Sequence, residues 1–377
     1  MIVDLHCHYP MHLPETRKKA EPVGHHDAAE DLVRGIAMAA ANALFNAPMV
    51  VSVESLRAGE VMVALSVLYE PFDEIDLSLK YGAPPRPRYF QDLLQLMDSV
   101  ERHIAARPGK DAVIAHDHAE LDAADAAHQV ALVHAVEGGF HLGASEAEIR
   151  ANVATLAQRG VAYITVAHLL FRKVATNAPA IPMLTDKLYH KLCPQPGDGV
   201  QSLGAALIDE MVKQKILVDI THMSRASIDA TLKQIEAMPG GKDVPLLATH
   251  AACALSPEAE YNISDEHIAA VHRHGGVIGL IACEHWMTLG RKKPKNFEET
   301  MALLFEHIDR IHSVTGSYDN IGIGSDMDGF IRPSLKGLDT PEDYNSVKYR
   351  LIDKYGSAAA DKICWQNALR VLQWWRS

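Results

Sequence analysis

Near the start of the chain two histidines stand two positions apart, in Val3-Asp4-Leu5-His6-Cys7-His8. Residues two apart on a β-strand project to the same face, so His6 and His8 can grip one ion as a pair. Neutral imidazoles joined by a carboxylate suit Zn²⁺ or, less selectively, another first-row divalent cation. A bare His-x-His arises often by chance. It gains weight here because other polar residues of the right types fall where short apolar runs end: Glu137, His168, His222, His250 and Asp326. If those runs are parallel strands of one barrel, their C-terminal ends share a rim and the residues converge. Glu137, His222 and His250 then join His6 and His8 as candidate metal ligands, and metal-assisted hydrolysis is the chemistry indicated.

The positioning elements are legible as Val-, Ile- and Leu-rich runs at 2–5, 61–68, 131–136, 161–166, 216–220, 245–248, 276–282 and 320–324. Short strands that are uniformly apolar are buried on both faces, as in a parallel sheet covered by helices. Between them lie amphipathic stripes: Phe90, Leu93, Leu94, Met97, Val100 and Ile104 form one, and Leu203, Leu207, Met211 and Val212 another. This alternation predicts an α/β chain folded as a (β/α)8 TIM-type barrel, with a doubly wound open sheet as the alternative. A ninth run at 112–115 reads as an extra strand inside an insertion, and 362–375 as a last helix packed on the barrel. Two long loops, 9–27 and 169–201, follow the first and fourth strands and are expected at the C-terminal face as lids or specificity elements. No linker, repeat or low-complexity tract divides the chain, so residues 1–377 are expected to form one domain.

Composition excludes several function classes. With 36 Lys+Arg against 48 Asp+Glu, the net charge of −12 argues against a nucleic-acid partner. The absence of any run of about 18 apolar residues, and of a signal-like start, predicts a chain that neither spans a membrane nor is secreted. The 5 cysteines are scattered and never in Cys-x-x-Cys spacing, which fits reduced thiols in a cytoplasm. His-Glu-x-x-His, the Gly-x-Ser-x-Gly elbow and the phosphate-binding Gly-rich loop are all missing. Most of the 21 histidines have ordinary readings. His25 and His26 lie in a polar loop, His190 in the second long loop, and His272 and His274 near a helix C-terminus that favours them. His116-Asp117-His118 repeats the His-x-His spacing at the end of the surplus strand, where a structural role is the expectation.

The blocks Asp4-Leu5-His6-Cys7-His8, Val136-Glu137-Gly138-Gly139 and Tyr163-Ile164-Thr165-Val166-Ala167-His168 resemble those of the renal (membrane) dipeptidase family, peptidase family M19 of the amidohydrolase superfamily. So do Val218-Asp219-Ile220-Thr221-His222-Met223-Ser224, Ala248-Thr249-His250-Ala251 and Gly322-Ile323-Gly324-Ser325-Asp326-Met327-Asp328-Gly329. The resemblance implies a binuclear zinc site bridged by Glu137, one metal on His6 and His8 and the other on His222 and His250. It further implies that His168 binds the substrate carbonyl and that Asp326, or its neighbour Asp328, is the acid/base. A dipeptide or similar small amide is the substrate so implied, and a homodimer the assembly.

Two departures from the family pattern bear on these expectations. His8 stands where the family usually has Asp, which keeps coordination while making the site less negative. Tyr261 stands where dipeptidases place the Arg that holds the substrate's terminal carboxylate; a Tyr offers no charged bidentate fork. Tyr261 is therefore a candidate substrate contact, with Arg172 or Lys173 in the second long loop as the replacement cation. The alternatives are an amidohydrolase acting on an N-acyl amino acid, a cyclic amide or a lactone, or a barrel that binds metal or ligand without catalysis.

Overall fold

The computed structural model describes residues 1–13, 28–181, 184–255, 259–332 and 334–376, so His25 and His26 lie outside the described residues. The strands are β1 (Ile2–Cys7), β2 (Val61–Leu68), β3 (Ala112–Ile114), β4 (Val130–Glu137), β5 (Tyr163–Thr165), β6 (Leu217–Asp219), β7 (Leu246–Ala251), β8 (Val277–Leu280) and β9 (Ile321–Ile323). The sheet runs β2-β1-β9-β8-β7-β6-β5-β4-β3, and β2 also pairs with β4, which closes eight parallel strands into a barrel. The expected (β/α)8 barrel is the observed fold, and the open sheet is excluded. Only Met62, Val113 and Ile114 among the strand residues are not buried, which is why the strands read as uniformly apolar.

The ninth run is indeed a surplus strand, and its place has a geometric reason. β4 is eight residues long, and β2 occupies one edge of it. Along the other edge Val130, Ala131 and Leu132 pair with β3, while Val136 and Glu137 pair with β5. The long strand thus serves two neighbours in succession. Helix Arg88–Ala105 buries Phe90, Leu93, Met97, Val100 and Ile104 of the expected stripe. The second long loop carries a short helix, Asp186–Leu192, capped by Thr185. The terminal segment is interrupted: a π-helical turn at Lys362–Gln366 precedes helix Asn367–Leu372.

Two buried aspartates staple the barrel from inside. Asp4 on β1 accepts from the His6 amide at 3.1 Å, the Ser325 amide at 3.0 Å and hydroxyl at 2.7 Å, and the Tyr344 hydroxyl at 2.6 Å. It ties β1 to the segment leaving β9. Asp219 closes β6 and accepts from Thr165 Oγ1 at 2.6 Å, from Thr221 N and Oγ1 at 3.1 and 2.7 Å, and from Thr249 N and Oγ1 at 3.0 and 2.8 Å. It ties β5, β6 and β7 together. Close approach does the same work further round: a Cβ on Gly324 would overlap the Thr249 carbonyl oxygen, so only glycine lets these segments meet.

Buried donors left without an acceptor are expensive, at roughly 1–3 kcal/mol each. Asp219→Ala orphans donors on three strand segments, and urea denaturation is expected to show a loss of at least about 3 kcal/mol. A loss under about 1 kcal/mol would remove Asp219 from this role.

Candidate metal and active centre

The strand ends bring the expected residues to one point. Glu137, the last residue of β4, is buried with imidazoles around both carboxylate oxygens. Its Oε1 lies 3.4 Å from His6 Nε2, 3.6 Å from His222 Nε2 and 3.3 Å from His250 Nε2. Its Oε2 lies 3.4 Å from His8 Nε2 and 3.5 Å from His168 Nε2. Asp326 Oδ1 approaches His8 Nε2 at 3.0 Å and His6 Nε2 at 3.8 Å. Residues from β1, β4 and β7, and from the segments leaving β5, β6 and β9, therefore share one buried cluster.

Local backbone aims these side chains. His222 and Asp326 both adopt left-handed conformations, with φ of 65° and 58°. Such non-glycine conformations cost of order 1–3 kcal/mol and persist where surrounding contacts fix them. Ser224 then caps helix Arg225–Glu236, accepting from the Ser227 amide at 3.1 Å, which sets the direction of the chain after His222. Asp326 is held by its own amide, which donates to the His6 carbonyl at 2.8 Å. Gly329 leaves it room: a Cβ there would overlap Asp326 Oδ1 and lie 2.7 Å from His8 Cδ2.

The next layer assigns the ring protons. The Tyr163 hydroxyl donates to the Leu5 carbonyl at 3.0 Å, so at 2.8 Å it accepts from His6 Nδ1. Thr249 Oγ1 donates to Asp219 and accepts from His250 Nδ1 at 3.0 Å. In both rings Nδ1 carries the proton and Nε2 presents a lone pair toward Glu137, the tautomer a metal ligand needs. His222 Nε2 and His250 Nε2 are only 2.9 Å apart. His6 Nε2 and Glu137 Oε1 are buried without hydrogen-bond partners among the described residues. Converging lone pairs, an orphaned carboxylate oxygen and three overlapping sets of possible ligands are what a cation site requires. One set includes Asp219, but its two oxygens already accept from Thr165, Thr221 and Thr249.

Burial alone would push Glu137 up, but His168, His6 and His8 outweigh it and hold the carboxyl well below the usual range. For His168 burial acts downward and is outweighed by Glu137 and Glu74, which raise it to about 9. Burial, reinforced by neighbouring imidazoles, pushes His222 and His250 well below the ordinary histidine range.

Other expected residues are placed differently. Asp328 turns away from the cluster and accepts the Val50 and Val51 amides at 3.1 and 2.8 Å, so the two aspartates of this turn have separate environments. The Tyr261 hydroxyl donates to the His250 carbonyl at 2.8 Å, with its ring 5.0 Å from His222 and 4.4 Å from Trp286. Arg172 is buried and donates through Nε to the Glu74 carbonyl at 3.0 Å. His116 and His118 do not converge: His116 Nδ1 meets Glu120 at 2.8 Å, and His118 Nε2 the Trp375 carbonyl at 2.7 Å. Sequence reasoning missed Glu74, whose Oε2 lies 2.7 Å from His168 Nδ1, as well as the supporting Tyr163 and Thr249. None of these has a spacing signal; Tyr163 and Thr249 stood inside blocks noticed for their neighbours.

The chain is 27% identical over 248 residues to an uncharacterized dipeptidase of Schizosaccharomyces pombe, covering 66% of this chain and 53% of that one. It is 27% identical over 183 residues to an uncharacterized protein encoded in the pqqA 5′ region of Klebsiella pneumoniae, covering 48% of this chain and 62% of that one. The chain thus spans between half and two thirds of the length of these curated relatives. Its fold is similar to that of a Rhodobacter sphaeroides metallopeptidase solved with a phosphinate mimic of the dipeptide L-Ala-D-Ala, with a TM-score of 0.74 at 16% identity over 99% of both chains. A family model described as membrane dipeptidase (peptidase family M19) matches residues 1–375, and the chain belongs to that family.

Proposed function

We propose that the protein is a metal-dependent hydrolase of small amides, with dipeptides as its substrates and two zinc ions as its resident metals. His6 and His8 would hold one ion, His222 and His250 the other, and Glu137 would bridge them. The observation that carries this reading is Glu137 itself, a buried carboxylate with imidazole Nε2 atoms directed at both oxygens. Bound there, the cations supply Lewis acidity, lowering the pKa of a water and polarising the scissile carbonyl. The chain's own groups do the rest. Asp326, with Oδ1 at the cluster, accepts the water's proton and passes it to the leaving nitrogen. His168 directs Nε2 toward the same space and binds the carbonyl oxygen as charge develops on it. The dipeptide mimic held by the Rhodobacter sphaeroides neighbour supports a substrate of this size.

A second reading has a specific observation behind it. The Tyr261 hydroxyl is committed to the His250 carbonyl and Arg172 to the Glu74 carbonyl, so neither stands ready for a free terminal carboxylate. With the Nε–Nη2 edge of Arg172 and the Tyr261 hydroxyl so occupied, the arrangement favours amides without such a group, or a cyclic amide or lactone.

One panel separates the two: zinc-loaded protein assayed on L,L- and L,D-dipeptides, N-acyl amino acids, cyclic amides and lactones. Hydrolysis of dipeptides, abolished by chelation and restored by Zn²⁺, is the expected result; activity confined to the other classes would replace the dipeptide reading, and a protein inert on all of them would end it. Within that assay Asp326→Asn should lower kcat by about 10²–10⁴-fold while metal content stays at the wild-type level. Unchanged kcat would remove Asp326 from proton transfer.

A further inference from the structure

Glu74 stands on the short helix Pro71–Ile75 after β2, with no exposed surface. Its carboxylate is divided between two tasks. Oε2 meets His168 Nδ1 at 2.7 Å and accepts the Tyr69 hydroxyl at 2.7 Å, while Oε1 accepts the Leu170 amide at 2.8 Å. Its main chain is gripped in return, since Arg172 donates to the Glu74 carbonyl oxygen through both Nε and Nη2. Residues 168, 170 and 172 are every second residue of the segment leaving β5, so one buried glutamate fixes three successive points of it. The Tyr69 ring stands edge-on to the His168 ring at 4.6 Å, which blocks the imidazole from tilting. With Nδ1 tied and the ring wedged, Nε2 is the nitrogen left to face the cluster.

We propose that Glu74 is a positioning residue for the hydrolysis, acting through His168, and that Arg172 serves to hold Glu74 in place; the inference rests on the reading of His168 given above. The logic is that of a carboxylate that fixes the orientation and tautomer of a working imidazole. Glutamine at this position keeps the shape but turns an amide N–H₂ toward Nδ1, because the Leu170 amide still requires the oxygen. The ring would then lose the proton on Nδ1 or rotate.

The test is a double-mutant cycle on zinc-loaded protein, using the best substrate of the panel. Glu74→Gln should lower kcat by about 10–100-fold, the range for groups that orient a working histidine. In the His168→Ala background the same substitution should cost no more than about twofold, because its effect passes through the missing ring. Equal losses in both backgrounds, or no loss in the wild type, would overturn the proposal. A second measurement does not depend on activity. In ¹⁵N-histidine NMR of the wild type, the His168 signals, assigned by their absence in His168→Ala, should show a protonated Nδ1, and Glu74→Gln should remove that proton. A bare Nδ1 in the wild type overturns the proposal even if Glu74→Gln fails to fold. Wild-type protein idle on every substrate would sink the functional reading and the kinetic role with it, while the spectrum still reports whether Glu74 orients the ring.

Discussion

The structure turns on one buried carboxylate. Glu137 sits at the end of β4 with almost no solvent contact, a position where an isolated charge would be prohibitively costly. The compensating positive charge, on a protonated imidazole or a bound cation, has its place among five imidazoles, from His6, His8, His168, His222 and His250, whose Nε2 atoms come within 3.3–3.6 Å of its two oxygens. The closed parallel barrel delivers those groups from four different strands and their trailing segments to a single point. Topology and site chemistry are therefore the same constraint seen at two scales.

Around this centre lies a layer whose task is orientation. Tyr163 and Thr249 take the Nδ1 protons of His6 and His250, and Glu74 takes that of His168. Asp219 anchors Thr249 and at the same time joins β5 to β7, so the groups that set the tautomers are also those that hold the strands in register. Asp4 does the same between β1 and the segment carrying Asp326. Loss of one such residue should be felt in both stability and chemistry, because the same hydrogen bonds serve both.

Much of this was legible in the sequence because parallel barrel strands are buried on both faces. All eight apolar runs coincide with observed strands, and the polar residues at their ends are those that meet at Glu137. What could not be read was set by contacts rather than by period. The surplus strand declares itself as apolar, but only the length of β4 decides that it shares an edge with β5. Glu74 follows β2 at a sequence separation of 94 from His168, and nothing in its local pattern distinguishes it from a helix-start acid. Asp326 and Asp328 share a turn and a left-handed conformation, so the sequence left them unresolved; the Val50 and Val51 amides are what draw Asp328 away. Tyr261 and Arg172 were marked by position in the chain, yet where their polar ends point depends on the carbonyls of His250 and Glu74.

Glu137 is proposed to hold two cations between the two groups of histidines. Elemental analysis of protein purified without added chelator, comparing the wild type with Glu137→Gln, measures this most directly. Close to two equivalents of zinc per wild-type chain are expected, with loss of at least one of them in the variant and folding retained as judged by circular dichroism. A wild type that binds no metal when reconstituted with Zn²⁺, or a Glu137→Gln protein that keeps the full complement, would contradict it.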